Sequence, residues 1–125
     1  MFSTEEIEGM GSVNTDLMEK LGLAEGIFAG RVALITGSAR GIGEATARAL
    51  AFLGARIILV DQRVEQGRAV AKSIQKAGGQ ARFLRCDLSK VGEISRLIPR
   101  AQAVFGPVDL LINNALHVSV APLVA

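Results

Sequence analysis

Tyrosine and tryptophan are absent from this 125-residue chain, and cysteine and histidine occur once each. Without Tyr or Trp, aromatic platforms for stacking bases are scarce, and the phenol that many proton-transfer sites use is missing. A single cysteine, Cys86, excludes an internal disulfide and makes a reducing, cytoplasmic setting the default expectation. No apolar run approaches the ~18–20 residues of a membrane-spanning helix. The opening MFSTEEIEGM is acidic and lacks a basic region followed by an apolar one, so no secretory leader is expected.

Half the residues are hydrophobic and 21% are charged, a globular composition for at most one domain. The formal charge of +2 conceals an asymmetry. Before Arg31, six acids face Lys20 alone, a net of −5, while the remainder carries 13 bases against six acids, a net of +7. A basic body raises nucleic acid as a partner. However, Arg48, Arg56, Arg63, Arg68, Lys72, Lys76, Arg82 and Arg85 are scattered and form no block, and a nucleic-acid partner is not expected.

Residues 1–29 read as an acidic, loosely ordered extension. Ser3 and Glu6 have capping-box spacing, and Leu17, Met18 and Leu21, ended by Gly22, suit a short helix. From residue 30 the pattern becomes regular. VALIT (Val32–Thr36) and RIILV (Arg56–Val60) are apolar runs without polar alternation, as in strands covered on both faces. ARFLRC (Ala81–Cys86) and VDLLIN (Val108–Asn113) read as the third and fourth strands.

The intervening segments have helical spacing. Ile42, Ala45, Ala49 and Leu53 mark the first inner face, and Val64, Gly67, Ala71 and Ile74 the second. Val91, Ile94, Ile98, Ala101 and Phe105 mark the third, with Pro99 an awkward interior proline. Strand–helix alternation predicts an α/β fold: a Rossmann-type, doubly wound parallel sheet, incomplete at about four strands and three helices over residues 30–125.

TGSARGIG (Thr36–Gly43) lies between the first strand and the first helix. Gly37 permits a tight turn, and Gly41 and Gly43 let backbone approach a ligand with no Cβ in the way. The helix that follows turns its free N–H groups and positive dipole end toward this loop, which suits a pyrophosphate. Asp61 ends the second strand, 18 residues after Gly43, where an acid accepts hydrogen bonds from an adenosine ribose. Capping the next helix is a second role compatible with the first. Asp61 would repel a 2′-phosphate, whereas Arg40 and Arg63 would attract one; the acid weighs toward NAD over NADP.

TGSARGIG, CDLS after the third strand and LLINNA at the fourth, in that order, resemble the landmarks of the short-chain dehydrogenase/reductase family over residues 28–125. The resemblance implies a sheet order 3-2-1-4-5-6-7. It implies that Gly37, Ser38, Arg40, Gly41, Ile42 and Gly43 form the cofactor loop, with Asp61 on the ribose. It implies further that Asp87 and the backbone of Leu88 contact the adenine. Asn113-Asn114-Ala115 would steady the central sheet, with Asn114 and Ala115 against the cofactor ribose. Leu116 stands where the family pattern has Gly.

The family transfers a hydride between nicotinamide C4 and a carbonyl or alcohol carbon. Its tyrosine, a lysine four residues on, a serine and a further asparagine lie on elements after the fourth strand. This sequence ends before them, and Ser119 and His117 match none of them. No catalytic residue and no metal ligand is assigned. The expectation is a fragment inactive by itself, acting on a carbonyl or alcohol substrate only if the other half is supplied. The alternative is a non-catalytic NAD-binding module completed by a partner chain or a second copy.

Overall fold

The protein is described by a computed structural model, in which residues 15–117 are placed. The element order is α1 (Thr15–Lys20), β1 (Val32–Thr36), α2 (Gly41–Phe52), β2 (Arg56–Asp61), α3 (Val64–Lys76), β3 (Gln80–Arg85), α4 (Val91–Phe105) and β4 (Leu110–Ile112). The four strands form one parallel sheet in the order β3-β2-β1-β4, as the alternation and the family resemblance implied.

Strand alternation divides the core in two. Ala33, Ile35, Ile57 and Leu59 project toward α2 and α3, with Ala47, Ala51, Val70 and Ile74 closing that layer. Val32, Leu34, Ile58 and Val60 project to the other face, where Leu97 and Ala101 of α4 cover them. Both faces of β1 and β2 are therefore dry, which explains their unbroken apolar runs. Register places Thr36 opposite Val60, so the ends of β1 and β2 reach the same level of the sheet. At the opposite end, Arg56 lies over the Phe105 ring, 5.8 Å from its centroid, and ties the start of β2 to the end of α4.

Two predicted helix faces are corrected. On α2, Ile42 is 78% exposed and Ala45 is exposed, while Gly43, Ala47, Ala51 and Phe52 are buried. The helix is alanine-rich, so small apolar residues satisfy helical spacing on more than one face. Close packing at Gly43 selects the buried one. On α4, Leu97 and Ala101 face the sheet, and Val91, Ile94 and Ile98 are exposed at 80%, 44% and 39%. Pro99 sits inside an unbroken α4 on its exposed side, where the amide hydrogen bond it cannot make costs least.

β4 is shorter than its apolar run, and Leu111 is 54% exposed along the sheet's outer strand. Its entry is pinned by Asp109, whose N–H donates to the Val32 carbonyl at 2.9 Å and whose carboxylate accepts the Val32 N–H at 2.8 Å. In the acidic leader, α1 ends at Lys20 and is followed by Gly22, in the left-handed region at φ +70°. Met18, Leu23 and Phe28 pack against the core, and the Phe28 N–H donates to the Leu53 carbonyl at 2.9 Å. A Cβ on Gly54 would come within 3.1–3.2 Å of the Gly26 and Ala29 backbone, so the second part of the leader lies against the end of α2. The Ser3–Glu6 capping box lies outside the described residues, as does Ser119.

Candidate cofactor site

The carboxyl ends of β1, β2, β3 and β4 converge on a cavity of about 520 Å³. Ligands of open parallel sheets bind at this edge, where strand order reverses around the first strand. Of the residues predicted from sequence, Gly37, Arg40, Gly41, Asp61, Leu88, Asn114 and Ala115 line it. Ser38, Ile42, Gly43 and Asp87 do not, and each has a different situation.

Gly37 turns the chain at φ +65°. A Cβ there would come within 3.0 Å of both Ala115 Cα and Asn114 Nδ2, so loop and β4 exit meet without side chain between them. Gly43 is buried beneath the loop, where a Cβ would overlap the Gly37 carbonyl oxygen. Gly41 has φ +58° and nothing within 4 Å of where its Cβ would be, so an open space borders the first turn of α2. That turn begins at Gly41, and the leading N–H groups of a helix have no partner within it. Ser38 is fully buried and acts as internal scaffold: its hydroxyl and its N–H both donate to the Val60 carbonyl at 3.3 Å. Ile42 points to solvent.

The β4 exit is fastened to this loop by one hydroxyl. Thr36 Oγ1 accepts the N–H groups of Asn114 and Ala115, each at 3.0 Å, and lies 3.4 Å from the Ile112 carbonyl as a donor. The Asn114 side-chain amide donates to the carbonyls of Thr36 and Gly37 at 3.3 and 3.2 Å. Asn114 therefore shapes the cavity floor by bridging β1 to β4.

Asp61 is 6% exposed. Its Oδ2 accepts the Ala39 N–H at 3.1 Å and its Oδ1 accepts the Arg63 N–H at 2.9 Å, with the Arg63 guanidinium 3.5 Å away. The acid thus joins the end of β2 to the glycine loop and holds the turn that precedes α3, whose N-cap is Arg63. The expected helix-cap role is not taken up, since α3 starts at Val64, beyond the Arg63 N–H that this carboxylate accepts, and its about four acceptor positions leave capacity on the cavity side. Arg40 is exposed on the same wall, in extended backbone at φ −160°, and its guanidinium has no partner among the described residues.

Asp87 stands at the rim, between the lining residues Cys86 and Leu88. Its Oδ1 accepts the Ser89 hydroxyl at 2.6 Å and the Ser89 N–H at 3.0 Å, and these bonds hold its acidity above that of an ordinary Asp. Cys86 is buried, and desolvation raises its thiol pKa. Among the described residues no group of His, Cys, Asp and Glu forms a metal site, and no helix is long and apolar enough to cross a membrane.

Sequence reasoning did not place Gln62, Cys86, Leu116 or His117 in the cavity wall. Position could have found two of them, since Gln62 follows the acid that ends β2 and Cys86 follows the last residue of β3. Leu116 carries a signal too, as the residue standing where the family pattern has Gly, whereas His117 carries none of its own.

The family model for short chain dehydrogenase matches residues 31–123. The chain belongs to the short-chain dehydrogenase family. It is 35% identical over 94 residues to a 3beta-hydroxysteroid dehydrogenase of Mediterraneibacter gnavus, an alignment covering 75% of this chain and 34% of that one. It is 43% identical over 88 residues to a cis-4-hydroxycyclohexanecarboxylate dehydrogenase of Sinomonas cyclohexanicum, covering 70% and 35%. Among solved structures, a metagenomic short-chain oxidoreductase in complex with NADP superposes with a TM-score of 0.67 at 46% identity, covering 70% of this chain and 39% of that one.

The chain therefore spans about a third of the length of the curated relatives it matches. Short-chain dehydrogenases bind NAD(P), and the residues present fit such a dinucleotide. The space beside Gly41 is open, the acid Asp61 lines the same cavity, and that cavity has the size of a cofactor cleft.

Proposed function

We propose that this chain supplies the dinucleotide-binding half of an oxidoreductase acting on a carbonyl or alcohol substrate. One observation carries the reading: the glycine loop, Asp61 and the β3 exit border a single cavity at the carboxyl edge of the sheet. When bound, the nicotinamide would accept or give a hydride at C4. The protein's part is binding and orientation. The first turn of α2 and Gly41 hold the pyrophosphate, Asp61 accepts from the adenosine ribose, and the Asn114–Ala115 segment lies against the nicotinamide ribose.

The favoured cofactor is NAD. A carboxylate held in the wall by two N–H groups accepts from a free 2′-hydroxyl but repels a 2′-phosphate. Arg40 and Arg63 oppose that preference, and the NADP-bound relative shows that the family accommodates the phosphate. Calorimetric titration of the 125-residue chain with NADH and NADPH decides the matter. Tighter NADH binding supports the reading, and tighter NADPH binding reverses the cofactor assignment.

The sequence contains no tyrosine to move the proton, so the chain by itself is expected to bind cofactor without turning over any ketone or alcohol. NADH oxidation by the purified chain with any carbonyl would refute this. The single reduced cysteine agrees with a cytoplasmic setting.

A second reading, an NAD-binding module completed by a partner chain or a second copy, draws on half-exposed Leu111 at the outer strand. Size-exclusion chromatography separates the two readings. A discrete dimer that binds NADH favours the module completed by a second copy, and aggregates favour a half-domain that needs the remainder of its sheet.

A further inference from the structure

The turn that carries Asp87 is gripped from α4 as well as from within and from the end of β2, where the Asp61 carbonyl accepts the Cys86 N–H at 3.2 Å. The Asp87 N–H donates to Glu93 Oε2 at 2.7 Å, the shortest backbone-to-side-chain bond in this part of the molecule. Both Glu93 oxygens lie 3.0 Å from Arg85 Nη1, and Lys90 Nζ stands 4.0 Å from Oε1. Two turns along α4, Arg100 donates to the Arg85 carbonyl at 3.1 Å. Within the turn, the Asp87 carbonyl accepts the Lys90 N–H at 3.1 Å, and Oδ1 takes both Ser89 donors, with Gln62 Nε2 at 3.4 Å. Oδ2 alone accepts nothing from the described residues.

Glu93 occupies the third position of α4, where a capping-box acid would return to the N-cap N–H. Here it reaches three residues further back and grips the peptide that sets the tilt of Asp87. We propose that Glu93 is the positioning residue for adenine recognition, orienting Asp87 so that its free carboxylate oxygen meets the exocyclic amine of the base. The inference rests on the cofactor reading above and goes beyond it by assigning a role to a residue that does not line the cavity.

The chemistry predicts a measurable selectivity. A carboxylate accepts from the 6-amino group of adenine and is repelled by the 6-oxo group of hypoxanthine. Hydrogen bonds to charged groups make such discrimination about tenfold or more. Without Glu93 the Asp87 N–H and Arg85 lose their shared acceptor, the turn relaxes, and the preference collapses while the pyrophosphate and ribose contacts persist.

The test is titration of the full chain with NADH and with its hypoxanthine counterpart, for wild type, Glu93→Ala and Glu93→Gln, each checked for a cooperative melt. Wild type is expected to favour the adenine form, and Glu93→Ala to bring the two dissociation constants within about twofold. Glu93→Gln, whose amide oxygen still accepts the Asp87 N–H, keeps the preference and serves if the alanine variant does not fold. An unchanged preference in Glu93→Ala, a lost one in Glu93→Gln, or none in wild type overturns the role of Glu93. A wild-type chain that binds neither dinucleotide refutes instead the cofactor reading beneath it.

Discussion

Thr36 and Asn114, 78 residues apart in sequence, close on each other at the carboxyl edge of the sheet through a backbone N–H to hydroxyl bond of 3.0 Å. The Asn114 amide returns the contact at the Thr36 carbonyl, 3.3 Å away. The pair makes the last strand of the chain part of the first loop, and the cavity floor depends on it.

Thr36→Val keeps the shape of the side chain but removes the acceptor of two N–H groups, those of Asn114 and Ala115. Each donor left unpaired costs about 1–3 kcal/mol. Urea unfolding is expected to show a lower midpoint with an unchanged slope. A variant as stable as wild type would mean that water replaces the hydroxyl fully.

Gly43→Ala drives a methyl into the Gly37 carbonyl. Backbone displacement of this kind costs about 1–3 kcal/mol, and it moves the loop that faces the phosphates. NADH affinity is expected to fall more steeply than the melting temperature. Gly41→Ala tests the contrast, because open space surrounds that position and its penalty comes from φ +58° alone.

Asp61→Ala removes the charge that opposes a 2′-phosphate and leaves Arg40 and Arg63 beside it. NADH binding is expected to weaken about tenfold and NADPH binding to tighten, the direction set by one charge-assisted hydrogen bond and one repulsion. An unchanged NADH:NADPH ratio in paired titrations would sink the role of Asp61 as cofactor discriminator.

Stability should fall on acidification through Glu93 and Asp87. The Asp87 N–H, with Arg85, holds the Glu93 carboxyl below its ordinary 4.5, and the Ser89 bonds hold Asp87 below its ordinary 3.8. An acid with a depressed folded pKa stabilises above its unfolded pKa and loses that contribution as pH falls through the folded value. Unfolding free energy is therefore expected to decline below about pH 4.5, with a shallower slope in Glu93→Gln. Equal slopes in chevron or melt series would contradict this.

Cys86 gives a reporter of the site. Burial raises its thiol pKa, so alkylation at neutral pH is expected to be slow despite its place in the cavity wall. Saturating NADH should slow it further, followed by mass of the modified chain over time. Equal rates with and without NADH would place the nucleotide elsewhere.

Much of the architecture was legible from local chemistry. β1 and β2 follow their apolar runs because strands covered on both faces carry no polar residues. The turn at Gly37 and the stop of α1 before Gly22 follow from positive φ, which is a property of single residues. The place of Asp61 in the cavity wall was readable because an acid that ends the second strand reaches the same edge of the sheet as the glycine loop.

What tertiary structure decided lies where several local answers are equally good. An alanine-rich α2 fits the sheet by more than one face, and the close approach of Gly43 to Gly37 selects the one that leaves Ile42 in solvent. Met18, Leu23 and Phe28 of the leader pack on the core although their neighbours are acidic, because the end of α2 offers the Leu53 carbonyl as a backbone acceptor and a close approach at Gly54. Glu93 reads in sequence as an ordinary acid in a helix's first turn. Only the return of the chain from β3 brings the Asp87 N–H and Arg85 to it. Periodicity and glycine conformation are written within a few neighbouring residues and survive in the sequence alone. Pairings between distant segments exist only once the chain has folded, since they depend on which surfaces the sheet has already buried.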